Sequence, residues 1–581
     1  MEDVGSPTTR RRVLAGTATG IAGSLAGCTE RLWSRAESPG PDQVSLTIKA
    51  VPADDDIIAA KIASQLRENF ETAGIDATFE PIAKAELHRN VLLEGDYDVF
   101  VTRHDGIDEY DALRGLLHSR YATEAGWQNP FQFSDVTADD LLETQLTTAD
   151  EDRDRVISEL FDHLTETVPY TTVAFPSRIG AVGATLSETV SGPPYQPIDY
   201  LEILSEPPDE GPQDRPLEVG VFGEALTSRL NPIVVDSNQI PALLALLYDP
   251  LVYRTDDGAI PWLAEDVEWD GGSLLEARVT LRDDQRWHDG ESLDAEDVAF
   301  THRFLRDTSL GETESGVPAP QYRGQQSLVE SVEAVDSRTV EFSLRTTNRE
   351  TAIRALQIPV LPAHVWEPRS TVVGERQTEA LVHDNEEPIG SGLFELEAVT
   401  DDTEVELVPF TDHVFYDADD RPSVLEEFPQ FDGIRFVVAP NSGAVVDLLE
   451  EEEIDLTGTP LPADETGRVS DLPGRSVLTE QTDEFYMIGY NSHHEQLGNP
   501  NFRRLLSRLL DRDHAAAELL DGFAEPARSL SSLFGVRESE LTDEETELTA
   551  FPGSDGEVDA EEARSLFEAE NYRYEDGALL E

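Results

Sequence analysis

The side chains able to do covalent chemistry are few, and their spacing argues against catalysis. Cys28 is the only cysteine among 581 residues, so the chain forms no internal disulfide and no Cys-ligated metal site. His493-His494-Glu495 offers three metal-ligating side chains, but adjacent residues on a loop rarely converge on one ion. There is no Gly-x-Ser-x-Gly turn, no His-Glu-x-x-His helix and no Walker loop. The usual marks of a serine hydrolase, a zinc protease and a nucleotide hydrolase are thus missing. Recognition is expected, not turnover, and no cofactor is implied.

Cys28 points to a different chemistry, lipidation of its thiol. Thr9-Arg10-Arg11-Arg12-Val13-Leu14 resembles the twin-arginine export signal, and Leu25-Ala26-Gly27-Cys28 resembles a lipobox. The apolar, small-residue run between them, Val13 to Ala26, is too short to span a bilayer stably. A lone cysteine is more often a buried small hydrophobe, but its company here favours lipid attachment. Residues 1–28 are therefore expected to be a signal, and 29–43, with Pro39, Gly40 and Pro41, a tether. The expected location is the extracellular face of the cell membrane, reached by an export route that moves folded proteins. Two lipid chains anchor stably where one anchors only marginally.

The charge balance restricts the partners. The chain carries 118 Asp and Glu against 43 Lys and Arg, a formal net charge of −75. Lysine occurs only at Lys49, Lys61 and Lys84. Self-repulsion of this size destabilises a compact state. In molar salt the Debye length shrinks to about 3 Å and the repulsion is screened, so a halophilic protein is expected. A disordered acidic chain is the rival reading. Hydrophobic residues at 39%, with periodic spacing and aromatic anchors along most of the length, oppose it. Nucleic acid is excluded as a partner, because its phosphates require basic neutralisation.

The elements that must position any binding residue begin at Val44. Val44 to Val51 alternates apolar and polar residues as a strand does. Ile58, Ile62, Leu66 and Phe70 are spaced for a helix that Gly74 ends. Strand Ile75 to Ile82, a short helix Ala83 to Leu93 and strand Tyr97 to Thr102 follow. The result is a βαβαβ unit and a parallel α/β lobe. Helices are expected over Ala138 to Leu146 and Arg153 to Thr167, then an extended run from Tyr170 to Pro176. Residues 206–216 (EPPDEGPQDRP) break both periodicities and read as a linker. Beyond it, strands such as Glu276 to Leu281 and Val340 to Leu344 mix with helices at Ala295 to Leu305, Asn501 to Leu510 and Ala560 to Glu570.

Beyond the linker the chain resembles the peptide/nickel family of extracellular solute-binding proteins. The strongest stretch is Leu281 to Val298 (LRDDQRWHDGESLDAEDV), with a strand, an aromatic-Asp-Gly turn and an Ala-Glu-Asp helix start in succession. Support comes, in order, from Leu230-Asn231-Pro232, Tyr248 to Val252, Pro261 to Glu265, Leu361 to Trp366 and Pro388 to Gly392. Ile454-Asp455, Tyr490-Asn491, Arg503 to Arg512 and Glu561 to Leu566 complete the series. The resemblance implies an α/β fold of the bilobal periplasmic-binding-protein type (Venus flytrap, class II) with an extra small domain. It also implies a small, peptide-like solute, an ABC permease as membrane partner, and a monomer. A sensor module that reports to a receptor, a nickel- or sugar-binding member and a surface hydrolase are the alternatives.

Family members continue past a segment like Asn571 to Glu581 for a further half-lobe, and that half resembles the front of this chain. Val44 to Val51 resembles the strand that should follow Leu580. Tyr97 to Asp111 resembles the later strand whose end reaches the ligand, and Val168-Pro169-Tyr170 the near-terminal proline segment. A circular permutation is therefore expected: 44–205 matches the usual C-terminal part, and 217–581 the usual N-terminal and middle parts. An unrelated front domain joined to a truncated family member is the alternative. It would leave unpaired edges and uncovered apolar faces in the second lobe.

In peptide-binding relatives an aspartate after a cleft-facing strand pairs with the ligand's amino terminus. Asp105 holds the matching position, with Asp108 as the near alternative. A carboxylate in a closed, dry cleft attracts an ammonium far more than one in brine does. The plainer reading is one more solvated acid. Some dipeptide-binding relatives hold the ligand carboxylate by an arginine after the strand that Val44 to Val51 resembles. The loop here, Pro52-Ala53-Asp54-Asp55-Asp56, has none and reads as a helix N-cap. Trp127, Tyr486 and Asn491 lie in stretches that resemble cleft-lining segments, against a plainer reading as core or hinge residues. Trp287 and the turn His288-Asp289-Gly290 read as structural.

Overall fold

The computed structural model describes residues 42–581, apart from 108, 125, 188, 209–210, 224–225, 236–239, 241, 256–257, 375, 419–420 and 535–548. The signal, Cys28 and nearly all of the tether lie outside the described residues. No described helix is long and apolar enough to cross a membrane.

Strand β1 (Ser45–Ala50) buries Leu46, Ile48 and Ala50 on alternate positions. Helix α1 (Ile57–Thr72) starts where Asp56 accepts the backbone N–H groups of Ile58 and Ala59, both at 2.9 Å. It lays Ile62, Leu66 and Phe70 on the sheet, each fully buried, worth roughly 1.5–3 kcal/mol apiece. β2 (Asp76–Pro81) and β3 (Val99–His104) both pair with β1 in parallel, as the βαβαβ pattern requires. The third strand begins later than its sequence suggests. Asp98 turns its carboxylate to the Thr47 amide at 2.9 Å, and the Tyr97 hydroxyl donates to the Pro130 carbonyl, so both residues brace the approach to β3. The helix expected over Ala83 to Leu93 divides into an α-helical turn, Lys84–His88, and a wider π-helical turn, Arg89–Glu94, that ends at left-handed Gly95.

β4 (Tyr170–Val182) is almost twice the length expected for it. After it come β5 (Leu217–Phe222), the small-domain strands β6 (Ala264–Gly271), β7 (Leu275–Leu281), β8 (Val329–Ala334) and β9 (Thr339–Leu344), then β10 (Phe394–Thr400), β11 (Glu404–Pro409) and β12 (Ile434–Ala439). β13 (Leu456–Thr457), β14 (Ser476–Gln481), β15 (Phe485–Tyr490) and β16 (Ala524–Pro526) follow. Twelve of them form one hydrogen-bonded network in the order β10-β11-β12-β5-β13-β4-β15-β3-β1-β2, with β14 and β16 also on β4. The front strands therefore share a sheet with the later ones: Arg103 of β3 lies opposite Tyr486 of β15.

β4 divides this network into two lobes. Its first half pairs with β15 and β16, and Val173, Ala174 and Phe175 enter the first core with α1 and β1. Its second half pairs with β14, and Ile179, Ala181 and Val182 enter the cores of the other lobe. A second crossing runs beside it, where β14 leads into β15 through Thr482-Asp483-Glu484. The small domain stacks β8-β9-β7-β6 antiparallel around its own core, which includes fully buried Trp287.

Polar contacts weld the front segment to the rest. Arg354 of the small domain donates to Asp111 at 3.1 Å, Thr351 to Glu109 at 3.1 Å, and Arg114 donates to Ser327 at 2.9 Å. All six side chains are buried or nearly so. The chain ends meet as well: Val44 donates to the Leu579 carbonyl at 2.9 Å, and Leu579 to that of Gly74 at 2.8 Å. Gly74 needs to be glycine there, with φ +89 and a Cβ that would stand 2.5 Å from the Gly577 carbonyl oxygen. The described residues of the proline-rich segment 206–216 belong to no helix or strand, and Arg215 grips Asp455 with two bonds of 2.6 and 2.7 Å.

Candidate ligand-binding cleft

Where the two crossings run side by side, polar side chains from both lobes converge. β3 carries Arg103 to the end of the first lobe's sheet, and the crossing in β4 carries Arg178 into the second lobe. Glu484, in the other crossing, lies between them. Its Oε2 accepts from Arg103 at 2.5 Å and from Arg178 at 3.0 Å, with the Thr482 hydroxyl at 3.3 Å. Burial would raise the Glu484 carboxyl, but the two guanidinium groups outweigh it and hold the group below the usual glutamate value.

Around this core sit Asp56, Tyr486, Tyr195 and Asp105. The Tyr486 hydroxyl donates to the Asp56 carboxylate at 3.1 Å. Burial pushes the Asp56 carboxyl up, against the opposing pull of the α1 amides, Arg103 and Tyr486. The Tyr195 ring covers the Arg178 guanidinium at 3.8 Å. Burial, then the charge of Asp105, raises the Tyr195 hydroxyl far above its usual range. His104 stacks on Phe485 at 4.8 Å, and burial lowers its pKa while the Asp105 charge opposes.

The residues singled out in the sequence fall in different places. Asp105 is exposed, just past the end of β3, and its charge acts on Tyr195 across the lobe boundary. Asp108 lies outside the described residues. Trp127 is partly buried, edge-on to His104 at 5.5 Å and to His88 at 5.8 Å, so it backs the loop that holds Asp105. Tyr486 is 3% exposed and faces Asp56. Asn491 is buried, donating to the carbonyls of Gly95 at 3.2 Å and Tyr97 at 2.7 Å and accepting from the His493 amide, so its contacts brace backbone. Trp287 is fully buried and its indole donates to Asp297 at 3.4 Å, in keeping with a structural role.

Arg103, Arg178, Glu484 and Tyr195 were not read from the sequence as site residues. An arginine inside the apolar run of β4 was the available signal, hidden by Pro176 and Ser177 beside it. A concavity of about 650 Å³ opens elsewhere, lined by Glu202, Glu206, Glu426 and Glu427 among others, and shares no residue with this cluster.

The family described as bacterial extracellular solute-binding proteins, family 5, middle region, matches residues 258–580. The chain belongs to this family. As a family 5 solute-binding protein it is 26% identical over 272 residues to the oligopeptide-binding protein AppA of Bacillus subtilis, covering 46% of this chain and 44% of that one. The chain thus spans about half the length of the curated relatives it matches. A solved structure of Bacillus subtilis AppA with a nonapeptide is 20% identical, with a TM-score of 0.45 over 63% of this chain and 66% of that one. The nickel-histidine complex of NikZ from Campylobacter jejuni gives 17% and 0.42 over 63% and 66%. In this family 5 protein the fold is α/β, two lobes joined by strand crossings with a small domain beside them.

Proposed function

We propose that this chain is the solute-capturing component of an ABC importer, taking a small peptide-like solute between its lobes and presenting the closed form to a membrane permease. The observation that carries the reading is the pair of crossings, Pro176 to Arg178 and Thr482 to Glu484, which join two separately packed lobes beside a cluster of charged and aromatic side chains. Two narrow crossings let lobes rotate with little repacking. A ligand favours closure only through contacts that both lobes make at once, and Arg103 and Arg178 come from opposite lobes. Asp105 is positioned for a ligand ammonium. The Bacillus relative is an oligopeptide-binding protein, which points to peptides.

The same proposal includes the address and the chain order. Twin-arginine export and lipidation at Cys28 hold the protein on the outer face of the membrane as a monomer. Residues 44–205 supply the half-lobe that colinear family members carry at their C-terminal end. The hydrogen bond from Val44 to Leu579, that from Leu579 to Gly74 and the pairing of β3 with β15 support that permuted order.

Mass spectrometry of solutes released from protein purified in concentrated salt tests the function. Amine-bearing peptides are expected from the wild type, and Asp105→Ala should weaken their binding by about tenfold or more, the scale of one charge-assisted contact. Unchanged affinity removes Asp105 from the site. Turnover of a peptide, lost on changing a cleft acid, makes the protein a hydrolase instead.

A further inference from the structure

We propose that Arg103 and Arg178 together form a receptor for a carboxylate group of the bound solute, an inference that rests on the solute-binding reading above. The loop after β1 has no arginine, so the cations near this place come from other elements. β3 and β4 supply two, one from each lobe, to a single place.

Two buried guanidinium nitrogens at that place lack a hydrogen-bond partner. Glu484 Oε2 already accepts from Arg103, Arg178 and Thr482. Asp56 accepts from two amides and the Tyr486 hydroxyl. Glu480 reaches Arg178 only at 3.9 Å, from an exposed position. Meanwhile the Nε atoms of Arg103 and of Arg178 are both buried without a partner.

A guanidinium presents its donors as a planar fork that matches the two oxygens of a carboxylate. Arg178 is 7% exposed and clamped under Tyr195, so its fork is held in place before any ligand arrives. The Arg103 side chain remains 25% exposed, which leaves an approach from solvent. A carboxylate bound here would touch both lobes and so favour closure. Asp105, two residues beyond Arg103, stands ready for a positive group on the same solute.

The test uses the full chain in about 2 M KCl, where long-range charge effects are screened. A library of short random peptides is offered twice, once as free acids and once as C-terminal amides, and retained peptides are identified by mass spectrometry. Free acids, or amides that carry Asp or Glu, should be retained at least about tenfold over amides lacking any carboxyl. The two classes separate a terminal from a side-chain carboxylate. Arg103→Gln and Arg178→Gln should each remove that preference, whereas Arg178→Lys should keep part of it. Equal retention of peptides without any carboxyl overturns the receptor and leaves the solute-binding reading standing. Retention of no peptide at all overturns the peptide reading, and this inference with it. Should the arginine variants fail to fold, the comparison of acids with amides on the wild type still decides.

Discussion

Val44 donates its backbone N–H to the carbonyl of Leu579 across 2.9 Å, and Glu581 donates to Asp42 at 2.9 Å. Two segments more than 500 residues apart thus lie side by side. A rewired chain, with Glu581 joined to Asp42 by a short flexible link and opened between the exposed residues Glu206 and Pro207, should therefore fold. Circular permutation is tolerated at exposed sites of this kind. Circular dichroism and a melting transition close to those of the parent are expected. A rewired chain that fails to fold would show that the present segment order is required.

Asp111 is fully buried between Arg114, at 2.7 Å, and Arg354, at 3.1 Å. Removing one partner of a buried ion pair strands the others without water, at a cost of roughly 3–5 kcal/mol. Asp111→Asn should lower the denaturant midpoint markedly in concentrated salt. Glu71→Gln, which breaks an exposed pair with Arg67 on α1, should change it little. Equal effects would mean that the junction between the front segment and the small domain contributes nothing special.

Burial, reinforced by the charge of Arg306, lowers the pKa of His302 to about 3. In the unfolded chain the imidazole titrates near about 6.5. Its neutral form is therefore favoured by folding, and stability falls as pH drops from about 6.5 toward about 3, at about 1.4 kcal/mol per pH unit. His302→Leu should flatten that dependence relative to the wild type, as read from melting temperatures across the window. Parallel curves would remove His302 as a source of acid sensitivity.

The net charge of −75 predicts strong dependence on salt. Raising KCl from about 0.1 M to about 2 M shortens the Debye length from about 10 Å to a few ångströms and weakens repulsion between surface carboxylates. The melting temperature should rise steadily over that range. A flat or falling curve would contradict the halophilic reading.

Local order was legible in the sequence because short-range patterns encode it. The 3.6-residue spacing of Ile58, Ile62, Leu66 and Phe70, the capping Asp56 and the glycine at 74 specify α1 without reference to anything distant. The motifs from Leu281 to Val298 carried the family in the same way. Asp105 and Tyr486 were singled out because each lies in a stretch that resembles a family segment. Trp127 and Asn491, picked out in the same way, take up places that brace the backbone and the loop around the site.

The partners of these residues could not be read, since they are set by pairing across hundreds of positions. Nothing local places Arg178 next to Glu484, or gives Arg103 a neighbour in the opposite lobe. Proline and serine at 176 and 177 suggested the end of a strand, yet the backbone passes through them from one core into the next. Chain-local periodicity thus determined which segments are strands and helices and where charge accumulates. Only the folded arrangement decided which charges meet, because a hydrogen bond depends on distance in space, and β-sheet pairing is indifferent to separation along the chain.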